Sequence, residues 1–324
     1  MKLNIIFLTS KKYHKYRYIN IHLSINKNLY DYLTSTNIQY KQYFTKKQNN
    51  STNKINFTAN PNSTILQFNP KDFFINIKGY GKDIKWAEKV IQITDNAVEN
   101  IKSNNSSDSV LRKIADSMKI ANSKSTDRNL ADHTGVLRVS RSGYGPIGTW
   151  ANVTIQTPFG HNHGYDKYSS YTKRFAKISK EPLKNPYFDM SLTDIFYSPS
   201  CKCGEMIHGK AKHINNALDR VGGKYFNLQK DYIQHPEKIT EEHLEKINSD
   251  IAEIRWIMAH ATPWERGSDA ISNIFMRALY KSMGIKTHPS KKGVSFDLQA
   301  YCTNLADYKK DFTTYFQKAP EIAK

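Results

Sequence analysis

The chemically richest stretch of the chain lies between residues 256 and 271. His260 ends an apolar-periodic segment, a Pro/Trp turn follows, and Arg266, Gly267 and Ser268 stand where a second helix should begin. The start of a helix exposes backbone N–H groups and a partial positive charge, and both attract anions. The pattern therefore predicts a cradle for a phosphate or carboxylate, with His260 as the acid or base that acts on the bound group.

The same residues also have a purely structural interpretation. His260 would then cap the C-terminus of the first helix, Arg266 would pair with an acid, and Ser268 would be an ordinary N-cap. The two interpretations differ in their geometry. Only the functional one requires His260, Arg266 and Arg138 to converge in one pocket.

Two helices must position this turn. Apolar residues recur at intervals of three and four between residues 244 and 258, which predicts a helix over 240–260 with Thr240 as its N-cap. A second run predicts a helix over 268–283 that Ser268 caps and Gly284 ends. Further helices are predicted around residues 84–101 and 109–120, and strands at 136–140 and 150–155.

These elements predict an α+β protein of two parts. A mainly helical C-terminal domain with a small sheet, the expected catalytic domain, spans residues 131–324. A smaller and basic N-terminal region of mixed strands and helices spans residues 1–130. A chain of 324 residues has room for a substantial hydrophobic core.

The order of residues around the turn resembles the Fic/Doc (Fido) enzymes, including the AvrB-type effectors of the same fold, over residues 256–284. In these enzymes a motif of the form His-Pro-Phe-x-x-Gly-Asn-Gly-Arg joins two helices. Its histidine is the base, and its glycine-rich turn holds the phosphates of a nucleotide. The resemblance implies these roles for His260 and Gly267. Pro263 lies two residues later than in the family pattern, Ser268 and Asp269 replace Asn-Gly, and the final Arg is absent.

These observations predict a bacterial effector or toxin-like transferase that moves AMP or a similar nucleotide-derived group onto a protein. The expected catalytic residues are His260 and Glu265. The expected anion- or nucleotide-binding residues are Arg266, Gly267, Ser268, Arg138 and Arg141. The resemblance implies ATP, with magnesium, as the source of the group, and a protein substrate, for which an acidic one suits the basic chain.

Two alternatives remain open from the sequence. The formal net charge of +19 draws polyanions, so a basic nucleic-acid- or partner-binding protein without catalysis is the first. In that case His260 should be buried or capped. The second is an ADP-ribosyltransferase that uses Arg138 on a first strand and Glu265 near the bond that breaks, although no clear Glu-x-Glu pair supports it.

For two further motifs we favour a structural interpretation over a functional one. Residues 143–148 match GxGxxG by letter, but a predicted strand follows them, so they predict a glycine hairpin. Two thiols and two imidazoles could bind zinc, but the Cys-x-Cys spacing and a five-residue histidine spacing fit poorly. We therefore expect no metal at the residues of this second motif, which are Cys201, Cys203, His208 and His213.

The remaining features concern compartment. Three cysteines do not make a disulfide framework, which favours a reducing environment. No stretch approaches the roughly 18–20 apolar residues of a membrane span, and the short apolar run near the N-terminus does not read as a cleavable signal. The sequence therefore predicts a soluble protein that is cytoplasmic or delivered into a host cell.

Overall fold

The computed structural model describes residues 66–74, 83–139, 174, 177–178, 180–198 and 203–323. Over these residues the protein is mainly helical with short antiparallel strand pairs, which confirms the predicted fold class. The glycine motif at 143–148 and the predicted strand at 150–155 lie outside the described residues.

The described elements follow in chain order. The α-helices are α1 (Ile84–Lys102), α2 (Ser107–Asn122), α3 (Arg128–His133), α4 (Ile214–Leu228), α5 (Glu241–Ala261), α6 (Ser268–Ser282), α7 (Phe296–Tyr301) and α8 (Leu305–Asp311). The strands are β1 (Asp194–Ser198), β2 (Cys203–Ile207), β3 (Ile285–Lys286) and β4 (Glu321–Ile322). β1 pairs with β2 and β3 with β4, both antiparallel. Short 3₁₀ turns cover Pro70–Phe73, Ala211–His213, Pro236–Lys238 and Phe312–Tyr315, and a π-helical turn covers Gln229–Ile233.

Helix α5 is the centre of the core. Every residue from Asp250 to Ala261 is buried, because α4, α6, α7 and α8 all pack against this helix. A helix that is covered on all sides can carry polar residues only where they find partners. Its buried polar residues are Asp250, Glu253, Arg255 and His260.

Helix α6 packs beside α5 and is covered on another side by α1 and α2. Apolar residues on one face of α1, such as Val90 and Ile101, join the same buried cluster as Ile274 and Phe275 of α6. The packing therefore crosses residue 130, where the sequence suggested a boundary. The division into regions 1–130 and 131–324 stays a prediction.

The segment predicted as a strand over 136–140 has a more limited role. Of its described residues, Leu137 forms an isolated bridge to Trp264 in the chain that joins α5 and α6, and Thr134, just before the segment, forms another to Arg266. The reason is that its partner is a turn rather than a strand. None of the helices that the structure describes combines the length and the apolarity that crossing a membrane requires.

Candidate functional site: the turn between α5 and α6

Residues 262–268, here called the interhelical turn, connect the two central helices. Thr262 ends α5 in the left-handed conformation, with φ 42°. Its backbone N–H donates to the carbonyl of Met258 at 3.0 Å, and its hydroxyl donates to Ala259 O at 2.9 Å. Both bonds satisfy carbonyls that the end of a helix would otherwise leave without partners.

The segment 133–138 holds the interhelical turn along its length. Arg138 N–H donates to Pro263 O at 2.8 Å, and Glu265 N–H donates to Val136 O at 2.8 Å. Two more backbone bonds join Gly135 to Arg266 O and Arg266 to His133 O, at 3.1 and 3.2 Å. This ladder fixes the backbone on which Glu265 and Arg266 are presented.

The interhelical turn closes at the start of α6. Gly267 adopts φ +84°, which L side chains rarely adopt, and a Cβ there would lie 3.3 Å from the Thr134 methyl group. Gly267 is the N-cap, one residue before the predicted cap, Ser268. The Ser268 hydroxyl instead accepts from Trp264 N–H and donates to Trp264 O, both at 2.9 Å. Its hydroxyl therefore braces the turn.

Arg138 binds the backbone at the C-terminal end of α5. Its side chain is buried, and its guanidinium donates to the carbonyls of Thr262, Ala261 and Gly209 at 2.9, 2.7 and 2.7 Å. A guanidinium over the C-terminal carbonyls of α5 compensates the negative end of that helix. This geometry favours a capping role over the predicted anion contact, because these donors already serve backbone carbonyls.

His260 lies inside the core rather than in a cleft. It is fully buried, its Nδ1 accepts the backbone N–H of Thr193 at 3.1 Å, and its Nε2 lies 3.1 Å from Ala300 O, to which it donates. The rings of Trp256 and Tyr301 pack against it, with centroids 4.3 and 5.6 Å away. Burial lowers the pKa of His260 to about 3.

The neutral ring of His260 therefore has both nitrogens engaged. A general base needs a free lone pair within reach of the proton it removes. Its predicted role as the base stays a prediction that this geometry opposes, and its burial is what the non-catalytic alternative required. Nearby His208 is buried too, and burial lowers its pKa to about 4.

The structure brings a different histidine to Glu265. His133, the last residue of α3, places its Nδ1 2.5 Å from Oε2 of Glu265. The His133 side chain is 49% exposed and that of Glu265 is 21% exposed. When Nδ1–H donates to the carboxylate, the neutral ring carries its lone pair on Nε2. Nε2 makes no hydrogen bond to the residues that the structure describes. This is an accessible imidazole oriented by a carboxylate.

Arg266 directly follows Glu265 and remains at the surface. Its Nε donates to Oδ1 of Asn129 at 2.6 Å, and its side chain is partly buried. Of the predicted site residues, Glu265, Arg266, Gly267 and Ser268 lie together on the interhelical turn, and the structure places His133 beside them. Arg138 touches the same turn from its buried side, and His260 lies apart in the core.

A buried charge cluster lies behind the start of α6. Arg255, which is 1% exposed, donates from Nη2 to Oδ1 of Asp269 at 2.6 Å. Asp297 is buried beside them and accepts hydrogen bonds from the Ser295 hydroxyl and from Leu298 N–H. Burial and the nearby Asp269 charge raise the pKa of Asp297 to about 7. The cluster anchors α7 and the first turn of α6 to α5.

The remaining predicted site residues add little to this turn. Arg141 and Cys201 lie outside the described residues, and only the backbone of Cys203 is described, in β2. His208 lies 3.1 Å from the Thr262 hydroxyl, and His213 is the N-cap of α4. The described part of the chain contains no group of three or more His, Cys, Asp or Glu that could hold a metal ion.

One stretch of the chain is similar to a known family of proteins. Residues 197–319 match the model of the AvrB/AvrC family, described as avirulence proteins. The match indicates a bacterial effector, as the sequence suggested, and AvrB is Fido-like, although no Fic/Doc family model itself matches. No curated protein matches the chain. The matched residues include the interhelical turn, but the match begins after His133 and Arg138 in the chain.

His133 was not singled out from the sequence. It lies in the polar run Asp132-His133-Thr134, and no sequence motif links this run to the predicted site residues. Its partner Glu265 is far away along the chain, and only the ladder between residues 133–138 and the interhelical turn brings them together. No local signal marks such a pair.

Proposed function

We propose that the protein is an effector transferase that moves AMP, or a closely related nucleotide-derived group, onto a hydroxyl of a host protein. The observation that supports this most strongly is the exposed His133–Glu265 pair beside Arg266 at the start of α6. An imidazole oriented by a carboxylate is a recurring form of general base. An arginine next to a helix N-terminus is a recurring form of phosphate site.

In the proposed step the target hydroxyl attacks the α-phosphorus of ATP. The new P–O bond forms while the bond to pyrophosphate breaks, and Nε2 of His133 takes the hydroxyl proton. Glu265 stabilises the imidazolium that results, and Arg266 with the N-terminus of α6 stabilises the charge on the departing pyrophosphate.

The described residues at this turn offer few oxygen ligands for a magnesium ion. Asp269 is paired with Arg255 and Glu265 with His133, so neither carboxylate is spare. No step through the metal is part of the proposal. Hydrogen bonding and positive charge from Arg266 and the helix N-terminus carry the stabilisation instead.

A second candidate is a partner-binding effector without catalysis. One specific observation favours it, namely the complete burial of His260 with both ring nitrogens engaged. Under this alternative the His133–Glu265 pair stabilises the contact between α3 and the interhelical turn and does nothing more. The avirulence-family match is compatible with both candidates.

The two candidates differ in one assay. The protein is incubated with host-cell extract and ATP or NAD labelled in the transferred moiety, and labelled proteins are analysed by intact mass. The proposal expects one AMP unit on a target with wild type and a much weaker signal with Glu265→Gln, which keeps the side-chain shape. An ADP-ribose shift would replace the donor, and no modification at all would favour the non-catalytic candidate.

A further inference from the structure

A surface groove is lined by residues of α4, α5 and the 185–190 turn. It has a volume of about 390 Å³ and is lined by Tyr187, Arg220, Gly223, Lys224, Phe226, Asn227 and Glu253. Arg220, Gly223, Lys224 and Asn227 recur at three and four, so they share one face of α4. A Cβ built on Gly223 meets no atom within 4 Å, which leaves the space above this face open.

Two exposed phenylalanines lie on the segments of chain that form this groove. Phe226 lines it and is 62% exposed, and Phe188, which follows Tyr187, is 96% exposed. Phe188 is held in a braced turn, because the Asn185 side chain donates to Met190 O at 2.6 Å and accepts from Tyr187 N–H at 3.0 Å. The braced backbone holds Phe188 at the surface, and an exposed aromatic side chain is suited to fill a pocket on a partner.

Charged side chains complete the groove. Arg220 donates twice to Asp189, at 3.0 and 2.7 Å, and stacks over the Tyr187 ring at 4.3 Å. Lys224 contacts Asp250 at 3.1 Å and Glu253 at 3.0 Å. Two more lysines approach the same carboxylates, Lys246 and Lys309.

The charges at this groove do not balance. Four cations, Arg220, Lys224, Lys246 and Lys309, face three carboxylates, Asp189, Asp250 and Glu253. Arg220 and Asp189 are about equally exposed, at 31% and 29%, so this pair is close to neutral. Asp250 and Glu253 are only 10% exposed, whereas Lys224 and Lys309 are 29% exposed and Lys246 is 57% exposed. The side presented to solvent is therefore positive, within a chain of net charge +19.

We propose that this groove binds an acidic segment of a partner protein that carries an aromatic or aliphatic anchor residue. The anchor packs between Phe226 and the open face at Gly223, and the acidic residues face the excess positive charge of the lysines, of which Lys246 is the most exposed. The proposal goes beyond the transfer reaction and does not depend on it, because no residue of the interhelical turn lines the groove.

Fluorescence polarisation with two synthetic peptides tests this surface. One labelled peptide combines Glu and Asp with Phe and Leu, and the other has Lys in place of each acid. The full-length protein should bind the acidic peptide more tightly than the basic one, and rising salt should weaken the binding. Phe226→Ala and Phe188→Ala should each weaken it by about tenfold, the change that one moderate hot-spot contact produces.

Ile120→Ala is the matched control, since Ile120 is 60% exposed on α2 and belongs to no described cavity. It should bind like wild type. Equal binding of both peptides, or unchanged binding by both phenylalanine variants, would overturn the proposal. Sedimentation that shows self-association lost in Phe226→Ala would overturn it too, because a second copy would then be the occupant. None of these results bears on AMP transfer, so the proposed function would stand or fall separately.

Discussion

Two histidines, one in the core and one at the interhelical turn, differ in exposure and in hydrogen bonding. His260, on α5, is fully buried, with one nitrogen accepting from Thr193 and the other donating to Ala300. His133, on α3, is 49% exposed and uses one nitrogen toward Glu265. One side chain is built into the core, and the other is half exposed and has one nitrogen without a hydrogen bond to the described residues.

The contrast shows that burial and hydrogen-bond partners determine whether an imidazole stabilises packing or is available for chemistry. Burial removes the charged form of His260 and gives both its nitrogens to the backbone, so the residue specifies packing. His133 is oriented by a carboxylate and is half exposed, so its second ring nitrogen is accessible from solvent. Arg138 and Arg266 repeat the contrast, since the first caps α5 from inside and the second reaches Asn129 at the surface.

The largest expected effect is on stability. His260→Ala removes a buried ring and leaves the Thr193 N–H and Ala300 O without partners, so it should lower the free energy of unfolding by about 3–5 kcal/mol. His133→Ala should change it by less than about 0.5 kcal/mol, as for an exposed residue. Urea denaturation of both variants measures the contrast. A stable His260→Ala protein would mean that the ring does not hold the core as described.

The next effect is on activity. His133→Ala should lower the rate of AMP transfer by roughly 10²–10⁴-fold, the usual contribution of a general base. His235→Ala is the control, because that histidine is 50% exposed and lies near a glutamate, Glu237, away from the turn. Single-turnover assays with labelled ATP compare the two. Full activity in His133→Ala would remove this residue from the mechanism.

Variants of Arg266 test whether its side chain binds the phosphates of ATP. Replacing it with Ala should weaken ATP binding by about 1.5–3 kcal/mol, the range for hydrogen bonds to charged groups. Arg266→Lys keeps the charge and loses the planar fork, so its affinity should fall between the two. Calorimetric titration gives the affinities, with a thermal melt alongside. A lower melting temperature at unchanged affinity would make Arg266 a structural partner of Asn129 only.

The pH dependence of stability separates the buried histidine from the rest. Because the pKa of His260 is lowered from 6.5 to about 3, the unfolded chain binds its proton more readily. Its contribution is therefore complete above pH 6.5 and declines as the pH falls, by about 1.4 kcal/mol per unit. His260→Gln should show a shallower decline between pH 6 and about 4, while His208 and Asp297 act in both proteins. Parallel curves would contradict the burial of His260.

The helices that frame the site could be predicted from the sequence. Periodic apolar residues predicted a helix over 240–260 and another over 268–283, and the structure has α5 at Glu241–Ala261 and α6 at Ser268–Ser282. Periodicity reports which face is apolar, but it does not report how many neighbours cover a helix. The burial of His260 follows from packing on several sides of α5 and could not be read from spacing.

The chemistry of the turn was predictable only in part. Local order identified Glu265, Arg266, Gly267 and Ser268 as neighbours at a helix start, and the structure keeps them there. The partner of Glu265 comes from α3, through backbone bonds between distant segments. Such a pair is a tertiary product, as is the position of Arg138 over the end of α5.

Chemical modification of the histidines tests directly whether His133, and not His260, is the accessible histidine at the ATP site. The protein is treated briefly with diethyl pyrocarbonate at neutral pH, with and without ATP, and digested for quantitative mass spectrometry. We expect rapid modification of His133 that ATP slows, with His260 unmodified in both samples because its ring is buried and hydrogen-bonded. Modification of His260 as fast as His133, with protection of His260 alone by ATP, would contradict this expectation.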